Sequence, residues 1–212
     1  VQYLLTSPEL TEHADIHAKD DEGFRWACDQ GHLELVKYLL TSPELKEHAD
    51  IHSRNDLGFI WACAQGHLEL VKYLLTSPEL TEHADIHADN DYGFIKACFY
   101  GYLEIVKYLL TSPELKEHAD IHADNDSGFR WACSRGHLEV VKYLLISLEL
   151  TEHADIHAEN DLGFIWACEN GHLEVVKYLL TSAELTEHAD IHAENDLGFI
   201  WACRYGHLEI VK

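Results

Sequence analysis

The 212-residue chain contains no methionine, only four prolines and only 15 basic residues. Its apolar runs fall far short of the roughly 20 residues that a membrane-spanning helix needs. The opening VQYLLTSPEL has neither the basic start nor the cleavage site of a signal peptide. We therefore expect no membrane partner and no secretion signal. The missing methionine predicts that the chain is a segment of a longer protein.

The scarcity of basic residues leaves a net charge of −23, because 38 residues are acidic. Such a charge repels phosphate backbones and excludes nucleic acid as a partner. It favours a protein partner of basic or mixed charge. Protonation of all 17 histidines would reduce the net charge from −23 to about −6. We therefore expect association or solubility to change between pH 7 and pH 5.

The sequence repeats every 35 residues. This period is marked by cysteines and glycines, namely Cys28, Cys63, Cys98, Cys133, Cys168 and Cys203, and Gly31, Gly66, Gly101, Gly136, Gly171 and Gly206. A period of 20–50 residues indicates a solenoid or propeller, and the helical spacing of the apolar residues sets strands aside. The expected units are a partial repeat 1–17, repeats 18–52, 53–87, 88–122, 123–157 and 158–192, and a partial repeat 193–212.

The second half of each repeat, HLELVKYLL in the first copy, has apolar residues at steps of three and four. Glu34 and Lys37 lie between them, so the pattern predicts one amphipathic helix. Pro43 follows and should end this helix, because proline lacks an amide hydrogen and restricts the residue before it. Leu148 and Ala183 replace the proline in two copies, where we expect a longer helix.

The first half of each repeat predicts a shorter helix. In the first copy Asp21 is the expected N-cap, and Phe24, Ala27 and Cys28 share one face. Gly31 should end the helix in a left-handed turn. One such unit cannot bury its own apolar face, so neighbouring copies must cover it and supply most of the stability.

The segment GHLEVVKYLL followed by ADIHA resembles the ankyrin repeat, and the resemblance covers the whole chain. Ankyrin repeats are usually about 33 residues long and carry T-P-L-H-x-A; here residues 161–168 read DLGFIWAC instead. The array is most similar in style to those of large DNA viruses and amoeba-associated bacteria, which implies a host cytosol. The resemblance implies an all-α solenoid of helix-turn-helix units with short extended loops. It also implies a non-enzymatic protein-binding module with a concave and loop recognition surface.

Positions that differ between such similar repeats are not dictated by stacking. They concentrate at the loop tips and the end of the first helix, where the resemblance places recognition residues. The candidate partner-binding residues are Arg25, Asp29, Gln30, Tyr92, Lys96, Phe99, Tyr100, Tyr102, Arg130, Arg135, Arg204 and Tyr205. Five of these cluster in repeat 88–122, where aromatics beside a cation are typical of interface hot spots. The alternatives are neutral drift and, in that repeat, local repacking of the core.

Other repeated residues favour structural roles. A tryptophan recurs once per repeat except at Lys96, which predicts a half-buried ladder that breaks there. The motif HADIH favours turn hydrogen bonding over a metal site. A nucleophilic pair such as Cys28 and His32 is separated by the turn, and a motif repeated in every copy does not make one specialised active site. We therefore expect no enzyme, no metal and no cofactor.

The cysteines are expected to be small buried thiols in a reducing, cytoplasmic compartment. Stacked helices lie roughly 8–10 Å apart, too far for a disulfide between equivalent cysteines. Both chain ends fall within a second helix, and no polar-faced capping repeat is visible. The alternative function is therefore a structural solenoid that stacks head to tail into a filament or acts as a spacer.

Overall fold

The computed structural model describes residues 2–212, and within that range the chain is helical and contains no strand. The helices are α1 (Gln2–Thr6), α2 (Ala18–Asp29), α3 (Leu33–Thr41), α4 (Ser53–Ala64), α5 (Leu68–Thr76), α6 (Ala88–Tyr100), α7 (Leu103–Thr111), α8 (Ala123–Arg135), α9 (Leu138–Ile146), α10 (Ala158–Asn170), α11 (Leu173–Thr181), α12 (Ala193–Tyr205) and α13 (Leu208–Val211). The all-α prediction is therefore confirmed. Among these helices none is long and apolar enough to cross a lipid bilayer.

The helices stack in chain order. Each first helix packs on the first helix of the next repeat, from α2 on α4 to α10 on α12, and also on its own second helix. The core runs along this stack, where Phe94 and Phe129 are completely buried. Packing is so close that a Cβ atom at Gly93 would lie 2.7 Å from Cε1 of Phe59. The expected helix-pair solenoid is confirmed.

The second helices α3, α5, α7, α9 and α11 each end directly before a serine, whether or not a proline follows. The expectation of longer helices at Leu148 and Ala183 is wrong, because α9 ends at Ile146 and α11 at Thr181. Ser147 turns the backbone to an extended ψ of 128°. Its carbonyl accepts a hydrogen bond from His153 Nε2 at 3.0 Å, and its hydroxyl accepts the Glu149 N–H at 3.2 Å. This serine turn satisfies the polar groups at the helix end without proline.

The first helix is entered through a left-handed turn of three residues, which in the first copy have φ of 54°, 55° and 57°. Asp21, the expected N-cap, is the last of these residues and directly precedes the helical backbone, but the predicted capping bond is absent, because Asp21 Oδ1 bonds to His17 Nδ1 and to the Asp50 N–H and not to an amide of the first turn. Asp21 is buried, and its Oδ1 accepts the Asp50 N–H at 3.1 Å. The carboxylate therefore ties the turn before α2 to the segment that leads into α4.

The turn glycines behave as the sequence predicts, since Gly31 ends α2 with a left-handed φ of 69°. All six cysteines are free thiols, and five are buried. Burial raises the pKa of Cys168 to about 12. Cys203, in α12, is the exposed one.

Candidate recognition surface

Most of the candidate residues lie near the carboxyl ends of the first helices. Because these helices pack side by side, equivalent positions of successive repeats fall on one face. The largest group forms what we call the central patch, which comprises Tyr92, Lys96, Phe99, Tyr100, Tyr102, Trp131, Arg135 and Trp166. The structure thus brings together all five candidates of the third repeat and adds two tryptophans that the sequence analysis assigned to a structural ladder.

Cations and aromatic rings alternate within the central patch. Lys96 Nζ lies 4.6 Å from the ring centroid of Tyr92 and 5.3 Å from that of Phe99. Arg135 Cζ approaches the Phe99 ring to 4.2 Å. Both distances to Phe99 are in the range of favourable cation–π contacts. Lys96, which replaces a tryptophan, therefore organises the aromatic side chains around it.

The aromatic contacts of the central patch continue across three repeats. The Phe99 ring packs against Tyr100 at 4.8 Å and Trp131 at 5.2 Å, both edge to face. Trp131 then lies 4.9 Å from Trp166. These geometries match the preferred arrangements of aromatic pairs. Phe99 is therefore the link between the variable third repeat and the tryptophans of the following copies.

The tryptophan ladder is real but segmented. Trp26 and Trp61 form one pair at 5.4 Å, and Trp131 and Trp166 form another. Lys96 separates the two pairs, as the sequence predicts. Because these rings are only partly buried, they are also available to a partner on the same face.

Tyr102 lies at the edge of the central patch and has a structural role. Its half-buried ring packs on the turn at Gly66, where a Cβ atom would lie 2.6 Å from Tyr102 Cε1. In other repeats a histidine occupies this position, and His137 Nε2–H donates to the carbonyl of Phe99 at 3.0 Å. Tyr102 therefore fits the alternative interpretation, in which the variable residues of this repeat repack the core. His137 helps to fix the backbone of Phe99.

Two candidates, Arg25 and Arg130, do not belong to the exposed surface. They are only 4% and 9% exposed. Arg25 donates to the carbonyls of Lys19 and Asp20 at 2.9 and 3.1 Å, and Arg130 makes the equivalent bonds in its own repeat. Both arginines therefore hold the left-handed turns in place. The burial of these arginines could have been predicted from the sequence, because the same position is isoleucine in the other four copies and is therefore a core position.

The remaining candidates lie outside the central patch. Near the amino end, the carboxylate of Asp29 accepts hydrogen bonds from Gln30 at 2.6 Å and from Gln65 at 2.9 Å. Near the carboxyl end, Arg204 Cζ lies 4.9 Å from the ring of Trp201 and 5.7 Å from that of Tyr205. The predicted residues therefore form three separate groups along one face.

The repeated histidines make local hydrogen bonds. His13 Nε2 donates to the Ser7 carbonyl at 3.0 Å, and His17 Nδ1 contacts Asp21 Oδ1 at 3.0 Å. The two imidazoles of one motif thus have different partners, and residues 2–212 contain no cluster of three or more potential metal ligands. Burial lowers the pKa of His137 and His172, both of which bond to a carbonyl of the preceding repeat.

Comparisons with known proteins agree with this architecture. A family model described as "Ankyrin repeats (3 copies)" matches the chain in overlapping stretches, at residues 1–90, 24–125, 59–160, 94–194 and 129–212. The comparison with curated proteins gives no match. The matched stretches together span every repeat and both partial repeats.

Proposed function

This chain belongs to the ankyrin repeat family, and we propose that it binds another protein through the face that carries the central patch. Ankyrin repeats are in general modules for protein–protein interaction. The proposal for this chain is supported above all by exposed aromatic side chains that cluster around cations. Tyr92, which contacts Lys96, is 36% exposed, and Tyr100, which packs against Phe99, is 47% exposed. Rigid aromatics and arginine are the side chains most enriched at binding hot spots.

The variability of the patch also supports recognition. In the second repeat Ala64 and Gln65 occupy the positions equivalent to Phe99 and Tyr100. The fold therefore accepts small or polar residues at these two positions, and α4 and α6 have the same architecture. Stacking alone does not require the two rings of the third repeat. A partner that contacts them does explain their presence.

The test is a comparison of full-length variants. Phe99→Ala and Tyr100→Gln introduce the residues of the second repeat, and Leu148→Ala is the control because Leu148 is a fully exposed apolar residue in a loop. Immobilised wild-type chain and the control should retain the same proteins from a lysate, as measured by mass spectrometry. Titration of a retained protein should show affinity reduced about fivefold or more by each patch variant, which corresponds to about 1 kcal/mol. Unchanged affinity in both patch variants would refute the assignment.

We propose a non-enzymatic role in a reducing compartment. Burial raises the pKa of the five buried thiols, including Cys98 and Cys133, so they are not activated nucleophiles. Cysteines also remain free thiols in a reducing compartment. A cytoplasmic location follows from this reasoning, and the host cytosol is the proposed site if the source is a virus or an intracellular bacterium.

A second candidate function is head-to-tail self-association. Within the array, the phenylalanine of each repeat packs on the glycine of the next, as Phe59 does on Gly93. At one end of this chain Phe199 is 56% exposed. At the other end a Cβ atom at Gly23 would have no neighbour within 4 Å. Head-to-tail stacking of copies of this chain in the register of the internal interfaces would bring these two surfaces together and give a filament or spacer.

Electron microscopy tests this second function. Wild-type chain at high concentration should form long fibres, and Phe199→Asp should leave short discrete rods because it places a charge in the contact. Leu148→Asp adds the same charge at an exposed loop position and should leave the fibres intact. Short rods from the wild-type chain at every concentration would count against the filament.

A further inference from the structure

The cations of the second helices and those of the variable face have different partners. Lysines of the second helices pair with a glutamate three residues earlier, as Lys37 does with Glu34 at 3.1 Å. On the variable face, by contrast, Lys96, Arg135 and Arg204 form no ion pair with any carboxylate of residues 2–212. They contact aromatic rings instead. These three cations therefore have no ion-pair partner, although the net charge of the chain is −23.

The sequence around the central patch also favours positive over negative charge. Segments 92–100 and 127–135 contain no acidic residue, and of their three cations Lys96 and Arg135 belong to the central patch, whereas Arg130 is buried. The equivalent segment of the first full repeat contains Glu22 and Asp29, and that of the fifth contains Glu169. The third and fourth repeats thus present a cationic and aromatic surface in the middle of an acidic array.

We propose that the central patch binds a peptide segment in which carboxylate side chains flank an aromatic or large aliphatic residue. This inference rests on the proposed protein-binding function and specifies the chemistry of the partner. Lys96 and Arg135 bind the carboxylates, and the rings of Phe99, Tyr100 and Trp131 contact the apolar side chain. The partner's binding segment is therefore locally acidic, whereas the bulk charge alone pointed to a basic or mixed-charge protein.

The strong negative charge of the array does not prevent this contact. At physiological ionic strength the Debye length is about 8 Å, so exposed charges in distant repeats are largely screened. Lys96 and Arg135 lie within the patch itself, at 5.3 and 4.2 Å from the same Phe99 ring. Electrostatic complementarity at such short range selects partners even when the net charges of the two molecules repel.

The experiment uses a phage-displayed library of random linear peptides selected on the full chain. Enriched peptides should carry Asp or Glu next to Phe, Trp, Tyr, Leu or Ile. Binding of a synthetic enriched peptide should weaken about tenfold in the double variant Lys96→Gln/Arg135→Gln. The matched control is Lys46→Gln/Lys116→Gln, which changes net charge equally at exposed lysines outside the patch and should alter the affinity less than about twofold.

A peptide in which each carboxylate is replaced by its amide completes the test. It should bind wild-type chain about tenfold more weakly and should lose little further affinity in Lys96→Gln/Arg135→Gln. Enriched peptides without carboxylates that still depend on Phe99 and Tyr100 would overturn the acidic partner and leave the recognition surface intact. Peptides that bind independently of Phe99 and Tyr100, or no enrichment at all, would count against both proposals.

Discussion

Alanine substitution at two equivalent glycines should change stability in opposite directions. Gly23 and Gly93 occupy the same position of the first helix in different repeats, and neither has a left-handed φ. In a helix, alanine is favoured over glycine by about 1 kcal/mol. At Gly23 a Cβ atom would have no neighbour within 4 Å, so Gly23→Ala should raise the free energy of unfolding by about that amount.

At Gly93 the same methyl group would contact buried core residues too closely. It would lie 2.7 and 3.1 Å from two atoms of the Phe59 ring and 3.3 Å from Cys63 Sγ. Overpacking of this kind costs roughly 1–3 kcal/mol. After the helical gain of about 1 kcal/mol, Gly93→Ala should be neutral or destabilising by up to about 2 kcal/mol. The two variants should therefore differ by roughly 1–3 kcal/mol.

Equilibrium urea unfolding followed by far-ultraviolet circular dichroism measures both variants. Because stability in a solenoid is a sum of repeat and interface contributions, a strained central interface should lower the unfolding midpoint of the array. The variant Phe59→Leu supplies the check, since the penalty of Gly93→Ala should shrink when the ring is absent. Equal stabilisation by Gly23→Ala and Gly93→Ala would refute the packing argument.

Three further predictions concern links between repeats and the loop. Asp126→Ala should lower the free energy of unfolding by about 1–3 kcal/mol, because it removes the acceptor of the Asp155 N–H in the segment that leads into α10. Asp196→Ala, at an exposed equivalent position, should cost less than about 0.5 kcal/mol, and urea unfolding measures both. Burial lowers the pKa of His137 and His172, so below pH 6.5 the unfolded chain binds more protons and stability should fall from pH 7 to pH 5. The thermal midpoint should fall less in a variant with glutamine at both positions. Leu148→Pro should change the unfolding midpoint little or raise it, because α9 already ends at Ile146.

The repeat period and helix pairs could be predicted from sequence because apolar spacing determines them directly. The role of Asp21 could not, since a buried carboxylate that accepts the N–H of a residue 29 positions further on has no local signal. The left-handed turn of Lys19 to Asp21 could not be predicted either, because the Asp20 carbonyl accepts from Ser53 of the next repeat as well as from Arg25 of the same helix. Variability alone placed Arg25 on the surface, whereas three-dimensional packing places it inside.

Near-identical repeats allow the recognition surface to be separated from the fold. The copies share one backbone, so a residue that differs between them is one that stacking tolerates in more than one form. Arg130 and Ile165 differ in this way but are both buried, which shows that variation must be combined with exposure before it indicates binding. Tyr100 is both variable and exposed. Phe99 is variable and half-buried, and its ring contacts cations of two repeats, Lys96 and Arg135. The central patch is therefore where sequence variation, exposure and positive charge without an ion-pair partner coincide.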